Sequence, residues 1–129
     1  MERLTKIAPG LFIFDFGREI QGGLRLSLKT SVPLNVTVRF GEELLRDTTS
    51  GVSPCVTNSS DEIGRVCYNM RTGSRYEDVW TFDRSATIRN HEYIEGRYGE
   101  LFFNETDVSI DSLTLGAWTV KASYNKAKS

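Results

Sequence analysis

Two short runs of strict alternation constrain this chain more than any other feature in it. In LRLSLK, Leu24, Leu26 and Leu28 fall on one face and Arg25, Ser27 and Lys29 on the other. In NVTVRF, Val36, Val38 and Phe40 oppose Asn35, Thr37 and Arg39. A period of two specifies half-buried strands, because successive side chains of an extended backbone point to opposite faces. The segment joining the runs, Thr30–Leu34, is too short for a helical crossover, which predicts an antiparallel hairpin. No long stretch sustains a 3.6-residue period. Short strands separated by turn signals therefore predict an all-β fold, a sandwich or jelly roll.

Other runs fit that frame. In LFIFDF, Phe12, Phe14 and Phe16 share one face, while Leu11, Ile13 and Asp15 share the other. A strand apolar on nearly both faces is central in its sheet or covered by something else, and a neighbouring domain is one candidate cover. Residues 1–10 read as a lead-in ending in the turn signal Ala8-Pro9-Gly10. The stretch from Arg46 to Gly64, rich in Asp, Thr, Ser, Gly and Pro, reads as a long surface loop. RVCYNM, YEDVWTF, TIRNHEYI and YGELFF read as further strands, with Val79 and Thr81 opposing Trp80 and Phe82. From Val108 to Val120 the apolar parity shifts partway, which predicts β-bulges or a bend between sheets. The expected organisation is a sandwich over 11–120, with a linker or frayed tail over 121–129.

At 129 residues, 39% apolar and 26% charged, the chain has the composition of one globular domain. A net charge of −1 leaves no basic field to hold a phosphate backbone, so no nucleic-acid partner is expected. No apolar run approaches the ~20 residues that span a bilayer, and no charged and apolar leader pattern is seen at residue 1, so neither membrane association nor a signal peptide is expected. Cys55 and Cys67 bracket a polar loop. A disulfide between them would contribute about 3 kcal/mol; two free thiols are the equal alternative. N-x-S/T sequons at Asn35, Asn58 and Asn104 matter only in a eukaryotic secreted protein.

Few groups are arranged for catalysis. Glycoside hydrolysis needs two carboxylates flanking a sugar, one with a raised pKa. Asp15, Glu42, Glu43, Asp78, Glu92, Glu95 and Glu100 are plentiful, but nothing in their spacing selects a pair. A serine triad would require His91, the single histidine, and no GxSxG elbow accompanies it. Two cysteines and one histidine without CxxC or HxxxH spacing make no zinc site. Asn58, Asp61, Glu62 and Asp107 offer oxygen ligands for calcium, but without a DxDxDG-type loop they carry no cofactor expectation. Carbohydrate binding suits a sandwich better, with Tyr76, Trp80, Tyr93, Tyr98 and Trp118 as candidate platforms. Aromatic residues in strands are more often core.

The ordered set Asp15-Phe16-Gly17, Gly22, Arg25 and Arg39-Phe40-Gly41-Glu42 resembles the concanavalin-like β-sandwich domain of bacterial α-L-rhamnosidases, glycoside hydrolase family 78. Further matches are Asn69-Met-Arg71-Thr72, Asp78, Trp80 and Gly96-Arg97-Tyr98-Gly-Glu100. The last element departs from the family pattern, lacking a Phe between Gly and Arg. The resemblance implies a non-catalytic accessory domain whose partner is an (α/α)₆-barrel in the same parent chain. That barrel carries the acidic catalytic residues, so no catalytic residue is carried over here. The parent would be an inverting rhamnosidase, bacterial, and either periplasmic, secreted or cytoplasmic. Asp15, Arg39, Glu42, Asn69, Arg71, Asp78, Arg97 and Tyr98 become the candidate residues facing the barrel or a rhamnose-containing glycan. One rival is a stand-alone carbohydrate-binding module; another is a purely structural sandwich.

The charges placed inside apolar strands also carry a physical expectation. An unpaired buried charge costs several kcal/mol. Asp15 or Glu42 should therefore pair with an arginine among Arg25, Arg39, Arg71 and Arg97.

Overall fold

A computed structural model describes residues 3–22, 24–41, 43–44, 66–67, 76–89, 94–114 and 119–125. Its strands are β1 (Arg3–Ala8), β2 (Leu11–Gly22), β3 (Arg25–Thr30), β4 (Leu34–Gly41), β5 (Glu43–Leu44), β6 (Val66–Cys67), β7 (Tyr76–Phe82), β8 (Ala86–Arg89), β9 (Ile94–Phe103), β10 (Ser109–Thr114) and β11 (Thr119–Tyr124). One sheet has the order β1-β2-β9-β4-β7 and the other β10-β11-β3-β8, while β5 and β6 pair with each other. Among the described residues, every pairing is antiparallel except that of β11 with β3. The chain is thus an all-β sandwich.

The core lies where the period of two placed it. Phe12, Phe14, Phe16, Val36, Val38, Phe40, Trp80, Phe82, Leu101 and Phe103 line the inner face of the larger sheet. Leu24, Leu26, Leu28, Val120, Ala122 and Tyr124 meet them from the smaller one.

The two runs that predict a hairpin do not form one. β3 pairs with β11 and β8, whereas β4 pairs with β9 and β7, so Thr30–Leu34 turns the corner between the sheets. The Ser31 N–H donates to the Tyr124 carbonyl at 3.2 Å, prolonging the β3–β11 pairing into that corner. Ser85 Oγ accepts from the Thr30 N–H at 2.9 Å. Alternation decides which face of a strand is buried but not which strand lies beside it. Two apolar faces bury each other across a sandwich as well as they do side by side.

Three further expectations change. The run from Val108 to Val120 is two antiparallel strands, β10 and β11, with residues 115–118 outside the described set. Its first parity shift is a β-bulge: the register passes from Ile110–Ala122 to Ser112–Lys121, leaving Asp111 extra. Ser123 Oγ–H donates to Asp111 Oδ1 at 3.0 Å across the bulge. The lead-in contains edge strand β1, and β11 runs past residue 120, burying Ala122 and Tyr124. Finally, LFIFDF is covered within the chain. β2 lies between β1 and β9, and Leu11, Ile13 and Asp15 are all buried without any neighbouring domain.

Gly10 makes the β1–β2 turn possible. Its φ is +78°, and a Cβ there would sit 2.6 Å from the Glu105 carbonyl oxygen. Its own carbonyl accepts from the Phe103 N–H at 2.9 Å. Gly10→Ala is expected to lower the unfolding free energy by about 2 kcal/mol or more, read from the urea midpoint, because left-handed backbone strain and the clash act together.

Candidate functional site

The outer face of the larger sheet carries the charged residues. Registers align Ile13, Glu100, Arg39 and Glu77 in one row across β2, β9, β4 and β7. The adjacent row is Asp15, Tyr98 and Gly41. On the other side of the charged row lie Leu11, Phe102, Thr37 and Val79.

Arg39 is the centre of the first row. Its Nε–H donates to Glu77 Oε2 at 2.7 Å, and its Nη1 pairs with Glu100 Oε2. Glu100 is 0% exposed, and its second oxygen accepts the Val66 N–H at 3.1 Å. Burial pulls the Arg39 pKa down, but hydrogen bonds and charge from Glu100 and Glu77 outweigh it, so the net shift is upward. Each carboxylate here is held by a guanidinium, which suits joining strands better than moving protons.

Asp15 and Arg97 form the second cluster. Arg97 Nε–H donates to Asp15 Oδ1 at 2.9 Å and Nη2 to Oδ2 at 3.1 Å, a two-pronged arrangement. The β2 register passes from Asp15–Tyr98 to Ile20–Gly96, so residues 16–19 bulge opposite Arg97 alone. Gly17, with φ +82°, turns its N–H back to Asp15 Oδ1 at 2.8 Å. The Arg97 guanidinium lies 5.0 Å from the centre of the Tyr98 ring. Asp15→Asn removes the charge and leaves the shape. It should cost about 1–2 kcal/mol in thermal or urea unfolding, less than a fully buried pair because Arg97 is partly exposed.

The fold therefore brings Asp15, Arg97 and Tyr98 together and places Arg39 on the same face. The expected Asp15–arginine pair is present, with Arg97 as the partner. Tyr98 is fully buried, so its ring is closed to a ligand in this conformation. Asp78 stands apart on β7, exposed, accepting from the Val79 N–H at 2.9 Å and from Trp80 Nε1–H at 3.2 Å. Arg25 is exposed on the smaller sheet. Tyr76 and Trp80 belong to the core.

Glu42, Asn69 and Arg71 lie outside the described residues, as do Asn58, Asp61, Glu62, His91, Tyr93 and Trp118. The loop expected over 46–64 also lies outside them, and so does Cys55, one half of the considered disulfide. Among the described residues, no three His, Cys, Asp or Glu side chains gather to hold a metal ion. Nor does any helix there have the length and apolarity to cross a membrane.

Sequence reasoning missed Glu77 altogether and did not link Glu100 to Arg39. Nothing in their spacing marks them as partners; only the strand order β9-β4-β7 does. The open part of the face also escaped it. There Phe102 and Val79 are 42% and 56% exposed. Comparison with protein-family models, with curated proteins and with solved structures returned no match.

Proposed function

We propose that this chain is a non-catalytic β-sandwich domain of an α-L-rhamnosidase-type glycoside hydrolase, supporting the catalytic barrel of its parent chain. The observation that carries the reading is convergence. Asp15, Arg39, Tyr98 and Glu100 come from three separate elements of the family-like motif set and share one sheet face, and Arg97 joins them through its ion pair with Asp15. Asp15 pairs with Arg97 and Arg39 with Glu100, so these motif residues act as structural partners of one another.

The test is hydrolysis of an α-L-rhamnoside by the parent chain with and without this segment. Removal is expected to abolish activity or soluble folding of the remainder. A remainder that folds and hydrolyses at an undiminished rate sinks the proposal, as does a parent without rhamnosidase activity. One observation favours a second reading, a module that binds rhamnose-containing glycans alone: the exposed Phe102 ring, flanked in its row by Thr37. Titration of the isolated chain with L-rhamnose separates the two, since only this second reading expects binding.

A further inference from the structure

The outer face of the smaller sheet concentrates positive charge that the chain's net charge of −1 conceals. Registers across β10, β11, β3 and β8 put Arg25 and Lys29 of β3, Arg89 of β8 and Lys121 of β11 on that face, and all four are exposed. The other outward residues described there are serines and threonines, apart from Asp111 at the bulge. Asp111 already accepts from Ser123 Oγ–H. Among the described residues, no carboxylate pairs with any of the four cations, whereas Arg39 and Arg97 on the other sheet are both held. Arg25 stands directly opposite Arg89 in the β3–β8 ladder. Like charges so placed, with about 5 Å between their Cβ atoms, repel and weaken a sheet. With four cations and one aspartate the described face carries +3, which leaves −4 for the rest of the chain, so the field is one-sided.

We propose that this face binds a linear polyanionic glycan, one whose carboxylate or sulfate groups repeat along its length. Lys121 neighbours Ser27 across the β11–β3 ladder, one step diagonally from both Arg25 and Lys29, so the cations form a zigzag over three strands. An anion seated between Arg25 and Arg89 neutralises the one pairing that costs this sheet stability. Ser27 and Thr87 lie in the row between that pair and Lys29, and their hydroxyls, bonded to each other at 2.7 Å, can also serve sugar hydroxyls. Other anionic partners fit less well. A stable protein interface keeps apolar or aromatic anchors at its centre, and the outward residues described here include none. Single-stranded nucleic acid calls for aromatic platforms, and a flat sheet face does not enter a duplex groove. The face lies on the opposite sheet from the Asp15 and Arg39 clusters and is independent of them.

Titration calorimetry of the full chain with heparin, alginate, neutral dextran and duplex DNA, at about 20 mM salt, tests this. Heparin, alginate or both should bind and dextran should not, and affinity should fall about tenfold or more as salt is raised to about 200 mM. Heparin alone identifies sulfate as the recognised group, alginate alone carboxylate. Arg25→Gln together with Arg89→Gln should weaken the Kd at least about tenfold, and Arg25→Gln alone about three- to tenfold. Lys6→Gln removes the same charge from β1 of the other sheet and should leave the Kd within about twofold. Arg89→Gln should match or exceed the wild-type urea midpoint, because it relieves the opposed charges, so its loss of binding is not unfolding. Failure of both acidic glycans to bind overturns the proposal, as does equal weakening by Arg25→Gln and Lys6→Gln. Tighter binding of duplex DNA than of either glycan overturns it in favour of nucleic acid. A lowered midpoint in Arg89→Gln overturns it too, since Arg25 and Arg89 are then not an opposed pair awaiting an anion.

Discussion

Replacing Arg39 by methionine is expected to lower the unfolding free energy by about 3–5 kcal/mol, measured by urea denaturation. The size of the effect comes from what stays behind. Glu100 would remain at 0% exposure without the Arg39 charge, and Glu77 would lose its ion pair with Arg39. Removing one member of a buried pair is costly because the survivor has already left water. Replacing both members, Arg39→Met with Glu100→Leu, should therefore cost clearly less than the two single changes added together. A double-mutant cycle with no coupling term would contradict this account. The pH dependence has a definite sign. Because the folded Arg39 pKa is raised, its stabilisation is fully present below arginine's ordinary pKa and is lost only as pH rises through the folded value. Titration of Arg39 thus leaves stability flat between about pH 5 and 9.

Phe40→Ala is expected to cost about 3–5 kcal/mol, with a lowered midpoint in the same assay. Phe40 is buried in the main core. Its ring stacks against Phe16 at 6.3 Å between centroids with an interplanar angle of 5°. It also meets Tyr76 edge-on at 5.6 Å and 76°. Truncation removes both aromatic contacts and leaves a cavity between rings that cannot close it. Phe40→Leu keeps much of the volume and should cost distinctly less. Equal losses for the two variants would mean that neither cavity nor ring geometry sets the stability at this position.

Arg39 and Phe40 are neighbours in one alternating run, and they mark how far sequence could reach. Alternation assigned Phe40 to the core and Arg39 to the other face, because a strand's period of two is a local property. It left open that Arg39 would find Glu77 and Glu100, since those contacts follow from strand order, a property of the whole chain. The β3–β4 hairpin failed for the same reason. Asp15 was different: a carboxylate set between phenylalanines in an apolar strand demands a cation, and arginine was the natural supplier. Which arginine was settled only by the bulge at residues 16–19. The parity shift near Asp111 was legible as a bulge because an extra residue moves every later side chain to the other face. The tail was misjudged because Ala122 and Tyr124 alternate with Lys121 and Ser123, a pattern that an overall polar composition concealed.

The parallel pairing of β3 with β11 also sets the order of events during synthesis. β3 leaves the ribosome early, but its parallel neighbour β11 is made only with Thr119–Tyr124. At ~5–20 residues per second, the leucine face of β3 waits on the order of 5–20 s before its sheet can be completed. Local contacts cannot shorten that interval, because the missing neighbour has not yet been made. Nascent chains stalled before residue 119 should therefore present Leu24, Leu26 and Leu28 to chaperones, and emergence of β11 should end that dependence.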